Sequence, residues 1–461
     1  MMNTTTHARP EGGANKLYFA AWRWHFYAGL FALPFLSILA ITGMMMLWIA
    51  WIDGRDGERT EVVPSGAAAP VSQQAEAALL AVPGGDLRQY VAPRRADLAA
   101  LFRVDHEGEA VMVAVDPYRA EVIETFPRRS GWYDFFDNLH SDLMLGVTGD
   151  RMVEAAASIS LVLVATGLYM WWPRGGGWRK ALVPTLGRGR AFWKSLHGAV
   201  GLWISVVLIF FLISGLSWAG IWGGKMVQAW SQFPAEKWDN VPLSSDTHAS
   251  MNHVRREVPW ALEQVPLPAS GSTAGMPGVS GEVGIDAVDA LAREIGFDAR
   301  YQLNLPRGET GVWTLSRDSM STDDTDPTSD RTVHVDRFSG KILADVRFAD
   351  YSLAGKAMAV GIALHMGTLG LWSVLANTAL CLSVLFLCGS SLVLWWKRRP
   401  ARAGRLAAPP MPRELPLWQG AALVGLFVAM AFPMAGIVLL AVLVLDTLVL
   451  SRLPALRDKL T

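Results

Sequence analysis

The chain has 461 residues, 51% of them hydrophobic, and its 41 basic and 41 acidic residues leave no formal net charge. A neutral balance gives no electrostatic basis for a nucleic-acid partner. Its two cysteines, Cys381 and Cys388, both lie in one apolar run, which excludes a disulfide framework. Because the apolar residues are clustered in long runs, the composition predicts a polytopic α-helical membrane protein rather than a soluble one.

Six apolar runs define the predicted membrane helices, since a bilayer core requires about 20 apolar residues per span. The first four are edged by Trp, as expected where amphipathic rings lie among lipid headgroups. The last two are short and share a break at Phe432-Pro433, which predicts a C-terminal helical hairpin. The runs are Trp24–Trp51, Met152–Trp172, Leu196–Trp222, Trp372–Trp396, Trp418–Ala431 and Met434–Leu450.

The charged loops indicate orientation, because cytoplasmic loops retain Lys and Arg whereas translocated loops need not. The loop between the second and third runs and the loop after the fourth run are rich in Lys and Arg. We therefore expect a bacterial inner-membrane protein with both termini in the cytoplasm and segments 53–136 and 223–355 in the periplasm. The first run is too long for a cleavable signal and is expected to remain as a helix.

The predicted organisation follows directly from these runs and loops. In chain order it is a cytoplasmic N-terminus (1–23), transmembrane helix 1 (24–52), a first periplasmic unit (53–136), a periplasmic helix extension with transmembrane helix 2 (137–173), a basic cytoplasmic loop (174–194), transmembrane helix 3 (195–222), a second periplasmic unit (223–355), transmembrane helix 4 (356–396), a second basic loop (397–416), a transmembrane hairpin of helices 5 and 6 (417–451) and a cytoplasmic C-terminus (452–461).

The two halves of the chain repeat one pattern of histidines. His25 and His197 each precede the glycine of a small-Gly pair by 18 positions. His140 and His365 precede a Trp-Trp pair by 31 and 30 positions. The chain is therefore predicted to run helix, exported segment and helix, then to repeat that order before the hairpin.

The exported segments also repeat, each with a helical stretch followed by alternating strands. Both are predicted to be small α+β units of one helix on an antiparallel sheet. The first unit has Ala120 where the strand turn of the second has Gly340. Residues 266–281 are rich in Pro, Gly and Ser and are predicted to be a linker. The patterned segments are Val71–Val82, Val111–Val115 and Glu121–Ile123 in the first unit, and Ile285–Leu291, Thr332–Asp336 and Lys341–Leu343 in the second.

The His-led helices, the paired Trp ends and the strand turn from Val335-Asp336 to Gly340 resemble the PepSY-associated transmembrane helix family. That family includes bacterial iron-uptake membrane proteins and ferrisiderophore reductases. The resemblance covers roughly residues 16–400, and the C-terminal hairpin lies outside it. It implies two periplasmic PepSY-like units and b-type haem on the membrane histidines.

Four histidines are the candidate site, because ionisable side chains inside a bilayer are costly and usually functional. His25 and His197 directly follow cytoplasmic helix ends and so lie at the same depth. His140 and His365 lie about 30 residues before cytoplasmic Trp pairs, roughly 45 Å along a continuous helix against a core of ~30 Å. These two are therefore expected at the outer surface. Two pairs at matched depths predict two haems b, each with two axial imidazoles, in a four-helix core.

Other uses of these residues remain open. Any single histidine could be a packing residue. Zinc or copper would need three or four ligands in one place, and the nearest acids, Asp142 and Asp150, are interpreted as interfacial. Five small residues near the histidines could admit a flat macrocycle or could serve helix packing. They are Gly29, Gly198, Gly201, Gly367 and Gly370.

The remaining polar residues in the exported segments are interpreted as structural. His248 and His253 are predicted in a solvated loop, and the acids from Asp323 to Asp330 in another, which lacks the calcium-loop pattern. His106 and His334 lie near strands without partners that the sequence identifies.

The predicted function is transmembrane electron transfer by a di-haem b protein. Electrons would enter at His25 and His197, pass to His140 and His365 and reduce a periplasmic acceptor. The family resemblance implies that the acceptor is a ferric siderophore or another iron chelate. The Gly-rich stretch 174–178 does not fit a dinucleotide site. The donor is therefore expected to be membrane quinol or a cytoplasmic reductase.

Two other classes of function are considered. The first is a non-enzymatic membrane regulator whose PepSY-like units bind a protease or peptide. The second is a transporter, although the halves lack the interrupted helix pairs expected at a midplane substrate site. A haem spectrum distinguishes the electron-transfer protein from both.

Overall fold

The computed structural model describes residues 13–173, 182–224, 240–252, 258–321, 324–399 and 418–448, with 406, 408, 409, 452 and 453. The chain divides into two compact units. The helical unit comprises Met1–Gly43, Asn138–Lys225 and Ala379–Thr461. The sheet unit comprises Met44–Asp137 and Met226–Thr378.

The described elements follow the alternation of helix and sheet that the sequence predicts. The α-helices are α1 (Gly13–Ile52), α2 (Val71–Ala81), α3 (Trp132–Asp142), α4 (Val147–Trp171), α5 (Gly189–Leu216), α6 (Ile285–Glu294), α7 (Leu353–Met366), α8 (Leu371–Arg398), α9 (Trp418–Ala431) and α10 (Pro433–Leu448). The strands are β1 (Asp86–Val91), β2 (Ala100–His106), β3 (Glu109–Asp116), β4 (Glu121–Pro127), β5 (Leu243–Thr247), β6 (Pro266–Pro268), β7 (Gln302–Asn304), β8 (Val312–Arg317), β9 (Arg331–Asp336) and β10 (Ile342–Arg347).

Four of the described helices, α1, α4, α5 and α8, are long and apolar enough to cross a membrane. Their mean hydropathy over an 18-residue window lies between 1.7 and 2.5. Each overlaps one of the first four apolar runs of the sequence. The number of long spans in the described part of the chain therefore agrees with the predicted core, and the molecule is a membrane protein.

The helices that carry His140 and His365 are shorter than the sequence predicted, because each one ends soon after its histidine. Helix α3 ends at Asp142 and α4 begins at Val147, with Leu143 and Met144 in the left-handed backbone region between them. Helix α7 ends at Met366, and Gly367 and Gly370 both have positive φ before α8 begins. The expected distance of roughly 45 Å from each histidine to its Trp-Trp pair assumed a continuous helix, so it does not apply to His140 or His365.

The core of the helical unit forms where α1, α5 and α8 pack together. Ala40, Val384 and Cys388 are buried there, with partly buried leucines of α1, α5 and α8 around them. Both cysteines are free thiols. Small core-filling side chains are therefore what these two residues provide.

The C-terminal helices α9 and α10 break at Phe432, as the sequence predicted. A Cβ atom on Gly436 of α10 would lie 2.6 Å from the Cβ of Ala429 on α9, so a glycine is required where the helices approach. Trp222 stacks on Phe432 and donates its indole N–H to the carbonyl of Ala431 at 3.0 Å. The crossing of the membrane by this pair remains a prediction.

The sheet unit contains one eight-stranded antiparallel sheet built from two equivalent halves. Its strand order is β10-β9-β8-β7-β1-β2-β3-β4, so each half contributes four strands. The halves meet at β1 and β7, where Tyr90 is opposite Leu303. The sequence predicted two α+β units but not their union, because pairing between strands over 200 residues apart leaves no local pattern.

Helices α2 and α6 cover one face of this sheet. Ala75 and Ala78 of α2 and Val288 and Leu291 of α6 join a single core with the apolar face of the strands. The backbone N–H of Ser72 donates to the carboxylate of Asp286 at 2.8 Å, which ties the starts of the two helices together. The two halves therefore share one hydrophobic core.

The local predictions for both halves are confirmed, including the turn that lacks glycine in the first half. Ala120 adopts a φ of 53° and Gly340 a φ of 68°. The Ala120 N–H donates to the carbonyl of Asp116 at 2.9 Å, and the Gly340 N–H donates to that of Asp336 at 3.0 Å. The same turn forms in both halves, although only one has the residue best suited to it.

The prediction that residues 266–281 form a linker is wrong. Residues Pro266–Pro268 form β6, which pairs with β5. Farther along, Met276 and Ile342 exchange backbone hydrogen bonds of 2.9 Å in each direction. The segment therefore pairs with β5 and with Ile342 of β10.

Candidate functional site

Helices α1 and α5 bring His25 and His197 together in the helical unit. Their ring centroids are 6.5 Å apart and the ring planes are nearly perpendicular, at 86°. Both side chains are partly buried. The sequence repeat predicted that these two residues form a pair, and the structure places them as neighbours.

The neighbouring helix α4 holds the ring of His25. The Nδ1 atom lies 3.1 Å from the carbonyl oxygen of Leu163 and 3.1 Å from the hydroxyl oxygen of Thr166. A carbonyl oxygen can only accept a hydrogen bond, so Nδ1 must carry the proton. The hydroxyl of Thr166 donates its single hydrogen to the carbonyl of Val162 at 2.7 Å and accepts from the imidazole.

Helix α8 holds the ring of His197 in the same way. Its Nδ1 atom lies 2.8 Å from the hydroxyl of Ser390. That hydroxyl donates to the carbonyl of Leu387 at 3.1 Å, which leaves a lone pair to accept from Nδ1. With the Ser390 hydrogen on the Leu387 carbonyl, His197 is in the same tautomer as His25.

Both rings leave Nε2 as the nitrogen with a free lone pair. Among the residues that the structure describes, Nε2 of His25 and Nε2 of His197 have no hydrogen-bond partner. Two imidazole nitrogens about 2 Å from a shared metal ion would place the ring centroids roughly 6 Å apart. The observed 6.5 Å separation is close to this value, so His25 and His197 are the residues that would hold one haem iron.

His140 carries the same kind of partner as the first pair. It lies in the last turn of α3, and its Nδ1 is 2.9 Å from the hydroxyl of Thr42 on α1. That hydroxyl also lies 2.8 Å from the carbonyl of Ile38, to which it donates when His140 carries its proton on Nδ1. His365 lies in the last turn of α7 and belongs to the sheet unit. The pairing of His140 with His365 therefore stays a prediction.

The structure separates the glycines that serve packing from those that border histidines. A Cβ on Gly29, Gly198 or Gly201 would meet side chains at ordinary contact distances of 3.6–3.8 Å. Closer approaches occur at two other glycines. A Cβ on Gly167 would lie 3.2 Å from Cε1 of His25, and one on Gly43 would lie 3.2 Å from Cε1 of His140.

Gly367 and Gly370 are explained by the backbone. Their φ values are 70° and 96°, which only glycine adopts without strain. They end α7 and begin α8, so their role is to turn the chain beside His365. Neither position needs a cofactor to explain it.

The acidic residues near the helix ends have structural partners. Asp150 pairs with Arg151 at 2.6 Å, and Asp142 accepts from the backbone of Met144. Glu154, which is almost fully buried, accepts from the backbone N–H groups of Ile221 and Trp222 at 3.1 and 2.9 Å. Among the described residues, no group of three or more His, Cys, Asp or Glu side chains could hold a metal ion.

The sheet unit contains a second pair of histidines, which corrects the interpretation of His248 as a solvated loop residue. His248 and His334 are both fully buried, and their Nε2 atoms lie 2.9 Å apart. Nδ1 of His248 donates to the carbonyl of Val265 at 2.7 Å, and Nδ1 of His334 lies 2.9 Å from the Thr314 hydroxyl. The described residues 258–268 pack on the sheet, with Leu262 and Val265 against Val346, and they help to bury this pair.

The prediction that the acidic residues lie in a solvated loop is wrong for Asp330. Asp330 is buried and accepts hydrogen bonds from the backbone N–H and hydroxyl of Ser319. Asp324 and Asp326 remain near the surface. Asp323 and His253 lie outside the described residues.

A small cavity in the sheet unit borders His248. Its volume is about 20 Å³, and its lining includes Gln89, Asn304, Asp318 and Thr332. The buried hydroxyl of Thr332 has no hydrogen-bond partner there. This space is sufficient for one water molecule. It is far too small for an iron chelate, so such a substrate could not bind in it.

The hydroxyl groups that contact the histidines were not predicted from the sequence. Thr166 and Ser390 each lie six residues before the second Trp of a Trp-Trp pair, and Thr42 and Ser214 each lie 17 residues after a histidine. The repeat therefore contained the signal. It was missed because Ser and Thr are common at helix contacts in membranes.

The described helices and the eight-stranded sheet define a class: a membrane protein with several helices long enough to span a bilayer and a β-rich unit whose segments alternate with them along the sequence. A family model for the PepSY-associated TM region matches residues 22–398. The chain belongs to this PepSY-associated transmembrane family. No curated protein matches the chain in sequence.

Proposed function

We propose that this protein is an inner-membrane di-haem b electron-transfer protein that reduces a periplasmic ferric siderophore or another ferric chelate. In this proposal His25 and His197 are the axial ligands of one haem, and His140 and His365 are the ligands of the other. Reduction releases iron because oxygen ligands suited to the trivalent ion hold the divalent ion less tightly. Family membership supports the membrane setting of this function.

The observation that carries the proposal is the geometry of His25 and His197. Their rings are 6.5 Å apart, and each Nε2 lacks a partner among the described residues. A pair of packing histidines would be expected to bond each other or a neighbouring helix through both nitrogens, because an unmet polar group inside a membrane is costly. Two neighbouring histidines whose Nε2 atoms both lack a hydrogen-bond partner are typical of ligands to a bound group.

The protein residues in this site bind and orient. Four helices supply the pair and its partners: α1 and α5 carry the histidines, and α4 and α8 carry the hydroxyls of Thr166 and Ser390. A haem with two imidazole ligands supplies one-electron transfer and has no open position for ligand chemistry. Substrate reduction is therefore assigned to the exported face near the second pair of histidines, and not to binding at the first.

The proposed orientation rests on the basic loops of the sequence. A cytoplasmic first pair would receive electrons from membrane quinol or a soluble reductase. The second pair would then serve a periplasmic acceptor. The cavity of about 20 Å³ beside His248 excludes an enclosed site for the chelate there, so docking is proposed on an exposed surface.

The test is haem content, measured on detergent-purified protein by dithionite-reduced minus oxidised spectra and pyridine haemochrome. We expect about two b-haems per chain with a low-spin spectrum. Protein reduced under anaerobic conditions should then be reoxidised by a ferric siderophore, with ferrous iron trapped by a colourless chelator as the second readout. Redox-inert gallium siderophore is the matched control.

Two outcomes would contradict the proposal. Haem-free protein, after expression with added haem precursor, would favour the non-enzymatic regulator instead. Full haem content without reoxidation by any ferric chelate would retain electron transfer but reject iron as the acceptor.

A further inference from the structure

Three of the four site histidines share a partner that the haem-ligand proposal does not itself require. Thr42, Thr166 and Ser390 each place a hydroxyl within 2.8–3.1 Å of a histidine Nδ1. Each of the three belongs to a different helix, α1, α4 and α8. The contact therefore recurs in independent parts of the chain.

Each hydroxyl has a backbone carbonyl of its own helix as a second hydrogen-bond partner. Thr42 donates to the carbonyl of Ile38 and Thr166 to that of Val162, both one helical turn back. Ser390 donates to the carbonyl of Leu387. A hydroxyl has one hydrogen and two lone pairs, so a hydroxyl that donates to its carbonyl offers the imidazole only an acceptor.

We propose that Thr166 and Ser390 are positioning residues that fix His25 and His197 as Nδ1-protonated ligands and set the reduction potential of the bound iron, and that Thr42 does this for His140. This inference rests on the proposed haem function. A histidine that donates from Nδ1 is a more basic ligand through Nε2, and such outer partners orient the ring. A more basic ligand favours ferric over ferrous iron.

Ser390 and Thr166 should differ in how strongly they affect the histidine that each of them contacts. Ser390 is the hydroxyl acceptor for His197, which has no other hydrogen bond among the described residues. His25 has two acceptors, because the carbonyl of Leu163 shares its Nδ1 proton with Thr166. Loss of the Ser390 hydroxyl should therefore have the larger effect.

The experiment is spectroelectrochemical titration of the purified holoprotein and the variants Ser390→Ala, Thr166→Val and Thr42→Val. We expect Ser390→Ala to shift one of the two midpoint potentials positive by about 59 mV, a tenfold change in a one-electron equilibrium. Thr166→Val should shift that same potential by less. Thr42→Val should shift the other potential.

Matched controls and rescue variants separate this effect from packing. Ser160 on α4 and Ser383 on α8 donate only to carbonyls of their own helices, at 2.7 Å, so Ser160→Ala and Ser383→Ala should leave both potentials unchanged. Thr166→Ser and Ser390→Thr keep the hydroxyl and should retain the wild-type potentials. Loss of haem in Ser390→Ala that Ser390→Thr restores would also support the proposal.

Three results would overturn it. Unchanged potentials in Ser390→Ala and Thr166→Val holoprotein would show that the hydroxyls do not act through the histidines. Equal shifts in the control variants, or haem loss that the hydroxyl-retaining variants do not restore, would assign the effect to packing. Wild-type protein without haem would instead contradict the proposed function, which distinguishes the two failures.

Discussion

The helical unit and the sheet unit each contain a close pair of histidines, and the pairs use their nitrogens differently. In the sheet unit, His248 and His334 bond each other through Nε2, and both Nδ1 atoms have partners. In the helical unit, the rings of His25 and His197 are farther apart, 6.5 Å against 4.9 Å between centroids, and each Nε2 points to no described partner. In the sheet unit the ring nitrogens of both histidines are hydrogen-bonded. In the helical unit the two Nε2 atoms can still bind a ligand.

The comparison shows that proximity alone does not identify a histidine site. The proton positions follow from the partners of Nδ1. In the sheet unit, the Val265 carbonyl accepts from His248, whose Nε2 then accepts from His334, and Thr314 donates to the remaining nitrogen of His334. Such a chain of satisfied hydrogen bonds is typical of a structural pair. It leaves no lone pair for a metal.

The largest predicted effect separates the two pairs by haem content. His25→Ala and His197→Ala should each remove one of two b-haems, because a haem iron held by two imidazoles loses an axial ligand. His248→Gln and His334→Gln should retain both haems. Pyridine haemochrome per chain measures this, and haem loss in folded His334→Gln protein would reverse our assignment of the two pairs.

The second prediction concerns pH and the sheet unit. Burial lowers the pKa of His248 to about 4, and burial beside His248 lowers the pKa of His334 well below 6.5. Both are neutral when folded and take up protons on unfolding below pH 6.5, so stability is fully present above that pH and falls toward pH 4. The loss for His248 is about 3 kcal/mol.

Hydrogen exchange of β8 and β9 peptides in the full-length protein, corrected for intrinsic rates, measures this loss. The double variant His248→Gln/His334→Gln should start from a lower stability at pH 7.5 but lack most of the slope between pH 6.5 and 4. His106→Gln, on strand β2, is the control for the loss of a histidine outside this pair. An identical slope in the double variant would mean that other groups cause the pH dependence.

The third prediction compares the equivalent turns of the two halves of the sheet. Gly340→Ala should destabilise the sheet unit by about 1–2 kcal/mol or more, because a Cβ in the left-handed region is strained and would lie 2.7 Å from Cβ of Val279. Ala120→Gly should stabilise it by about 0.5–1 kcal/mol, since the residue already adopts a φ of 53°. Protection of β3 and β9 amides against exchange tests both, and a destabilising Ala120→Gly would contradict the account of this turn.

The smallest prediction concerns the glycine beside His25. In Gly167→Ala the new Cβ lies 3.2 Å from Cε1 of the imidazole, so the ring must shift by a few tenths of an ångström. Moving a ring off its preferred rotamer costs about 1 kcal/mol, roughly fivefold in haem affinity. Haem retention in competition with apomyoglobin measures it. Gly389→Ala, with open space around the new Cβ, is the control and should retain wild-type affinity.

The sequence predicted the four spans and the first histidine pair because both follow from local signals. Apolar length and Trp edges identify helices α1, α4, α5 and α8, and the repeat of His25 and His197 indicates equivalent positions. Strand segments and the Ala120 turn also follow from local alternation and turn residues. These features need no knowledge of what each element contacts.

Features that depend on distant contacts could not be predicted in this way. The union of the two halves through β1 and β7 joins strands that no local pattern relates. The burial of His248 depends on a loop folding onto His334, 86 residues away. The break after His140 places Leu143 and Met144 in the left-handed region, and these residue types carry no turn signal, whereas Gly367 and Gly370 after His365 do carry one.

The central claim is that His25 and His197 together bind one haem iron through Nε2. Low-temperature electron paramagnetic resonance of the oxidised protein, before and after His197→Ala, tests it most directly. We predict two low-spin ferric signals in the wild type and the loss of one of them in the variant. A high-spin signal in the wild type, or two unchanged low-spin signals in His197→Ala, would contradict the claim.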